Sequence, residues 1–203
     1  MPYFSQEAEE TLKELPNIVR DYERNSLRNA HYTEEEFIKG LTSNEPNEVI
    51  AALDALRDVE IKPYLIYVSK ILLSFPKQSV RSFALLLLVH KEFSKAVKFN
   101  HMGKVIEVVP SELKPPFVNS EFSDLNERLL SKFKDSSLTM NAIQILSTYL
   151  IYIYPEEIDF NDPMLLEALH IITAKYLKQH YISDFTNECE SLVNDISNAL
   201  NDF

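Results

Sequence analysis

The chain has 203 residues, with 20 basic and 31 acidic side chains, a net charge of −11 and 45% hydrophobic residues. Apolar content and charge at these levels describe a folded acidic globule and exclude a generally disordered chain. Gly40 and Gly103 are the only glycines, which excludes dinucleotide and Walker-type phosphate loops and a G-x-S-x-G nucleophile elbow, since each needs glycines close together.

Length predicts one helical domain over 1–203, with sub-units at 1–95, 96–118 and 119–203. Cys189 is the single cysteine, so no intramolecular disulfide forms, which fits a reducing cytosol. The start, Met1 to Glu7, lacks a basic n-region and an apolar h-region. The longest uncharged stretch, Leu138 to Tyr154, is diluted by Thr139, Asn141, Gln144, Ser147 and Thr148. It reads as a core helix rather than a membrane span. The expected location is cytoplasmic.

In chain order, Ser5 caps a first helix that Pro16 interrupts, and Asn17 restarts the pattern through about Ala30. Thr33-Glu34-Glu35-Glu36 is a capping box for a short helix ending near Gly40. Pro46 opens a helix to about Arg57, with Val49, Ile50, Leu53 and Leu56 on one face. Pro63 opens the next, to Phe75, and Pro76 precedes another that runs from Val80 to His90. Proline at a helix start loses only an N–H that would be unpaired anyway.

The helical period then breaks. From Val97 to Pro110 apolar residues alternate at period two. The pattern predicts a β-hairpin over 97–108, with Val97 and Phe99 facing Ile106 and Val108, and a turn within Asn100 to Gly103. An isolated hairpin is marginal, so it must pack on helices. Lys114-Pro115-Pro116 connects to further helices: Asn119 through Lys134, Leu138 to Tyr154, Met164 to Tyr181 after Asp162-Pro163, and a last one from Ser183-Asp184 to about Leu200.

Helices of this length joined by short turns predict an all-α fold of stacked antiparallel hairpins with the β-hairpin inserted. One internal echo supports stacking. Pro46 to Leu56 aligns with Pro76 to Leu86, matching Ile50 with Val80, Leu53 with Phe83 and Leu56 with Leu86. Ser79-Val80-Arg81-Ser82-Phe83 resembles the Val-Arg pattern of a HEAT-type repeat. The middle of the chain, into Val105 to Leu113, is similar to uncharacterised HEAT- or TPR-like proteins of low-GC Gram-positive bacteria. The resemblance implies a helical-repeat scaffold and no residue roles. No Trp-Leu-Gly-Tyr repeat can be written, since the chain lacks Trp.

Charge is segregated. Residues 1–60 hold 6 basic and 14 acidic side chains, residues 61–134 hold 12 and 6, and residues 135–203 hold 2 and 11. Lys91, Lys95, Lys98 and Lys104 cluster around the hairpin with His101, joined by Lys77 and Arg81. Such a patch suits an acidic partner. Tyr149 and Tyr152, with Tyr154, Tyr64, Tyr67, Tyr176 and Tyr181, are candidates for a groove, because tyrosine offers apolar area with a polar tip.

Chemistry-bearing motifs are sparse. Glu167 and His170 form an E-x-x-H, but a di-iron bundle needs two such motifs and two more glutamates. Cys189 lies between acids, which raise a thiol pKa rather than activate it. No cofactor and no catalytic residue is expected. The leading expectation is a protein-protein interaction module for an acidic or extended partner, using Lys91, Lys95, Lys98, His101, Lys104, Tyr149 and Tyr152. One alternative is nucleic-acid binding through the basic 77–104 segment, against which the acidity of the whole chain argues. The other is a metal-dependent enzyme at Glu167 and His170.

Overall fold

The computed structural model describes residues 32–117, 120–133, 136–176 and 187–203. The two helices expected before Ala30, the Ser183-Asp184 start and the Tyr181 end lie outside these residues. The described part is mostly helical with one small sheet. Its elements are α1 (Glu34–Leu41), α2 (Pro46–Ala55), α3 (Leu65–Ser74), α4 (Gln78–His90), β1 (Val97–His101), β2 (Lys104–Val108), α5 (Ser120–Phe133), α6 (Ser136–Ile153), α7 (Pro163–Tyr176) and α8 (Asn187–Asp202). Single 3-10 turns follow α2 and β2, and another over Lys62–Tyr64 leads into α3, so Pro63 opens a tight turn before the helix proper.

Local chemistry sets these boundaries. At α1, Thr33 N–H donates to Glu36 Oε2 at 2.7 Å and Glu36 N–H returns to Thr33 Oγ1 at 3.3 Å, the expected reciprocal cap. Gly40 does not stop α1, which runs on to Leu41. Its place is explained by close packing of α1 on α2: a Cβ there would lie 2.7 Å from the Ala52 Cβ. Lys77 is the N-cap residue of α4 and supplies no side-chain cap hydrogen bond of its own.

The hairpin forms in the expected register, Val97 opposite Val108 and Phe99 opposite Ile106. Its turn is tighter than the sequence suggests. Asn100 and His101 belong to β1, and the two turn residues are Met102 at φ 48° and Gly103 at φ 86°. Two consecutive left-handed residues match the twist of the strands. Gly103 takes that conformation freely, whereas Met102 must be held in it. Fully buried Phe99 anchors the hairpin against α3 and α4, leaving β2 on the outside.

Two apolar cores result. The first joins α1 to α4 and the hairpin around Leu53, Leu56, Leu72, Leu85, Leu88 and Phe99, and it also takes in Tyr154. The second joins α5 to α8 around Leu125, Leu129, Leu146, Leu169, Ile172 and Ile196. Helix α4 packs on α6 and α8 and so joins the first core to the second. Among the described residues no helix is long and apolar enough to cross a membrane.

Candidate functional site

The sequence points to the surroundings of the hairpin, and the structure divides that region into a buried polar centre and an exposed rim. The centre is built on the first turn of α4. Arg81 is 7% exposed. Its Nε donates to the Asn100 carbonyl at 2.8 Å, one terminal nitrogen donates to the carbonyls of Phe75 and Pro76, and the other donates to Gln78 Oε1 at 2.7 Å. Gln78 Oε1 also accepts the Met102 N–H at 3.0 Å. Arg81 therefore ties the α3–α4 turn to the hairpin. Burial pulls its guanidinium pKa down, and the Asp202 charge opposes that shift.

Two fixed donors on Gln78 Oε1 also decide which way the amide points. Its nitrogen lies 3.0 Å from Ser82 Oγ and 3.2 Å from His101 Nδ1. His101 thus accepts at Nδ1, and its Nε2–H donates to Glu156 Oε1 at 2.9 Å. Ser82 Oγ donates to the Tyr154 carbonyl at 3.4 Å. The cap missing from α4 arrives from the far end of the chain. Asp202 accepts the N–H of Gln78 at 3.3 Å and of Ser79 at 2.7 Å, and Lys77 Nζ donates to the Phe203 carbonyl at 3.1 Å. A carboxylate at this position satisfies orphan donors and meets the positive end of the helix.

These contacts redraw the expected basic patch. Arg81 is interior and Lys77 is engaged with Phe203. Lys91 is half-buried, with Nζ 2.9 Å from the Val59 carbonyl. His101 is buried and so does not belong to an exposed patch, because its ring stacks on Phe99 and bonds to Gln78. Lys95, Lys98 and Lys104 remain exposed, beside Val105 at 56% and Met102 at 45% exposure.

Among the described residues the tyrosines do not form an open face. Tyr149 is buried, and burial first, then Asp195 and Glu156, pushes its phenol up to about 12. Tyr154 is buried likewise, also pushed up to about 12. Tyr152 is half-buried and raised by burial and by Asp202. Tyr176 is exposed. The residues missed from the sequence are Gln78, Glu156 and Asp202. The one available signal was the α4 start itself, where Lys77 occupies the cap position that Ser, Thr, Asp or Asn usually takes.

Around Glu167 and His170, Lys132 Nζ lies 2.6 Å from Glu167 Oε2, and the His170 ring meets Phe133 edge-on at 4.8 Å between centroids. Burial and Lys132 lower the His170 pKa, against Glu167. Among the described residues no three His, Cys, Asp or Glu side chains converge as a metal site would require. Cys189 is buried, and burial, then Glu167 and Asp162, raise its thiol pKa. Ellman's reagent at pH 8 should therefore react with native Cys189 at least about tenfold more slowly than with a free thiol peptide, and fully once urea unfolds the chain. Rapid native reaction would show an accessible, activated thiol instead.

Comparison with protein-family models, curated proteins and solved structures finds no match.

Proposed function

We propose that this chain is a cytoplasmic protein-interaction module, a short stack of HEAT- or TPR-like helical hairpins that presents its β-hairpin to an acidic or extended protein partner. The observation that carries this reading is the rim of the hairpin. There an exposed strand with exposed Val105 and Met102 lies among Lys95, Lys98 and Lys104, on a base fixed by Phe99 and the Arg81 centre. A rigid support below an accessible apolar and basic rim is what partner capture needs. Phosphate binding is a poorer fit, since Arg81 is buried, half-buried Lys77 and Lys91 are held on the Phe203 and Val59 carbonyls, and Glu92 and Glu107 stand exposed among the remaining lysines.

Capture from a lysate by the wild type and by a Lys95/Lys98/Lys104→Glu variant of unchanged circular dichroism tests the reading. The variant is expected to lose the acidic proteins that the wild type retains. Identical captured sets would remove the rim as the interface. A salt titration against generic DNA and RNA should show no binding at low salt, where phosphate contacts would appear first.

A further inference from the structure

Resting on that interaction reading, we propose that the outer edge of β2 accepts an extended, acidic segment of another protein as a third strand, with an apolar side chain beside Val105 and a carboxylate beside Lys104. The two-residue turn makes His101 and Lys104 the closing hydrogen-bonded pair. Such pairs alternate along an antiparallel ladder, so Ile106 and Val108 also bond inward to β1. The N–H and C=O groups of Val105 and Glu107 therefore point away from β1. Among the described residues the sheet ends at β2, so they meet no further strand. The strand carries no proline, and its register with β1 runs unbroken from Lys104 to Val108. Proline and bulges, two devices that block edge pairing, are thus missing.

The side chains choose the occupant. Val105 projects from the outward face at 56% exposure, so a strand laid on this edge would cover it with the residue directly opposite. Lys104 projects on the other face at the turn end of the ladder and is exposed. Glu107 stands opposite Lys98 across the ladder and balances it, which leaves Lys104 as the one charge on β2 without an opposite charge across the ladder. A partner running antiparallel to β2 thus places a carboxylate against Lys104, an apolar residue against Val105 and an uncharged one against Glu107. A second copy of this chain fits worse. Pairing β2 with itself about Val105 would bring the Lys104 side chains of both copies to one seam with no carboxylate opposite either, and would join two chains of net charge −11.

The test uses the full chain and three labelled ten-residue peptides followed by fluorescence anisotropy. One alternates Val with Glu, one alternates Val with Lys, and the third is the Val/Glu peptide methylated at alternate backbone nitrogens. The Val/Glu peptide should bind, while the Val/Lys and methylated forms should bind at least about tenfold more weakly. Lys104→Glu should weaken the Val/Glu peptide by a similar factor. Val105→Pro should do so too while keeping the fold, because the N–H it removes points outward. Equal binding of the methylated peptide, or full binding by a folded Val105→Pro variant, overturns strand addition even where capture still depends on the three lysines. No binding of the Val/Glu peptide overturns it as well, and lysate capture then judges the interaction reading separately. Dimerisation by sedimentation that Val105→Pro abolishes would overturn it in favour of self-pairing.

Discussion

Arg81→Leu is expected to destabilise the chain by about 3–5 kcal/mol, the range for removing one member of a buried charge-assisted network. The guanidinium satisfies the carbonyls of Phe75, Pro76 and Asn100 and the Gln78 amide oxygen. Leucine fills part of the volume but leaves four acceptors without that donor, and each costs roughly 1–3 kcal/mol when it stays dry, less where water enters. A lysine retains the charge but not the planar fork, so Arg81→Lys should recover only a minor part of the loss. Urea unfolding decides it, through a lower midpoint at unchanged slope. A midpoint within error of wild type for Arg81→Leu would mean that the network contributes geometry and no stability.

Phe99→Ala should cost a similar amount, about 3–5 kcal/mol, by loss of transfer energy and creation of a cavity. Phe99 is fully buried, its ring stacks on His101, and it supplies the main apolar anchor of β1. Its loss should first loosen the hairpin. Amide exchange at Ile106 and Val108 should then rise more than exchange within α7, which belongs to the other core. Uniform acceleration across both cores would show that the hairpin does not open separately. Val105→Ala, at an exposed position of the same sheet, should stay within about 0.5 kcal/mol of wild type.

The contrast between these neighbours shows what could be read in the sequence. The period-two alternation from Val97 to Val108, broken by Gly103, located the hairpin and its register. Thr33 and Glu36 located the α1 cap from three residues of spacing. Such signals are local, because the chemistry joins residues a few positions apart. The basic patch was harder, since a count of lysines and arginines says nothing about direction. Arg81 sits in the first turn of α4, five and six residues after Pro76 and Phe75, near enough to fold back on their carbonyls, and so it leaves the surface. Lys77 and Lys91 are spent on carbonyls distant in sequence, as His101 is spent on Gln78 and Glu156. The tyrosines likewise carry no mark that separates a core phenol such as Tyr149 from an exposed one such as Tyr176. The Asp202 cap spans 124 positions, and no pattern along the chain announces it.

That cap ties together events at distant points of the fold. Any fluctuation that frays the last turn of α8 withdraws Asp202 and returns the Gln78 and Ser79 amides to water. Gln78 in turn holds Met102 N–H and His101, so the tip of the hairpin feels the loss. Opening at the end of α8 and opening at the hairpin turn are thus coupled equilibria, and the free energy of the first sets part of the rigidity of the second. The stiffness of the exposed strand is governed from the opposite end of the described chain.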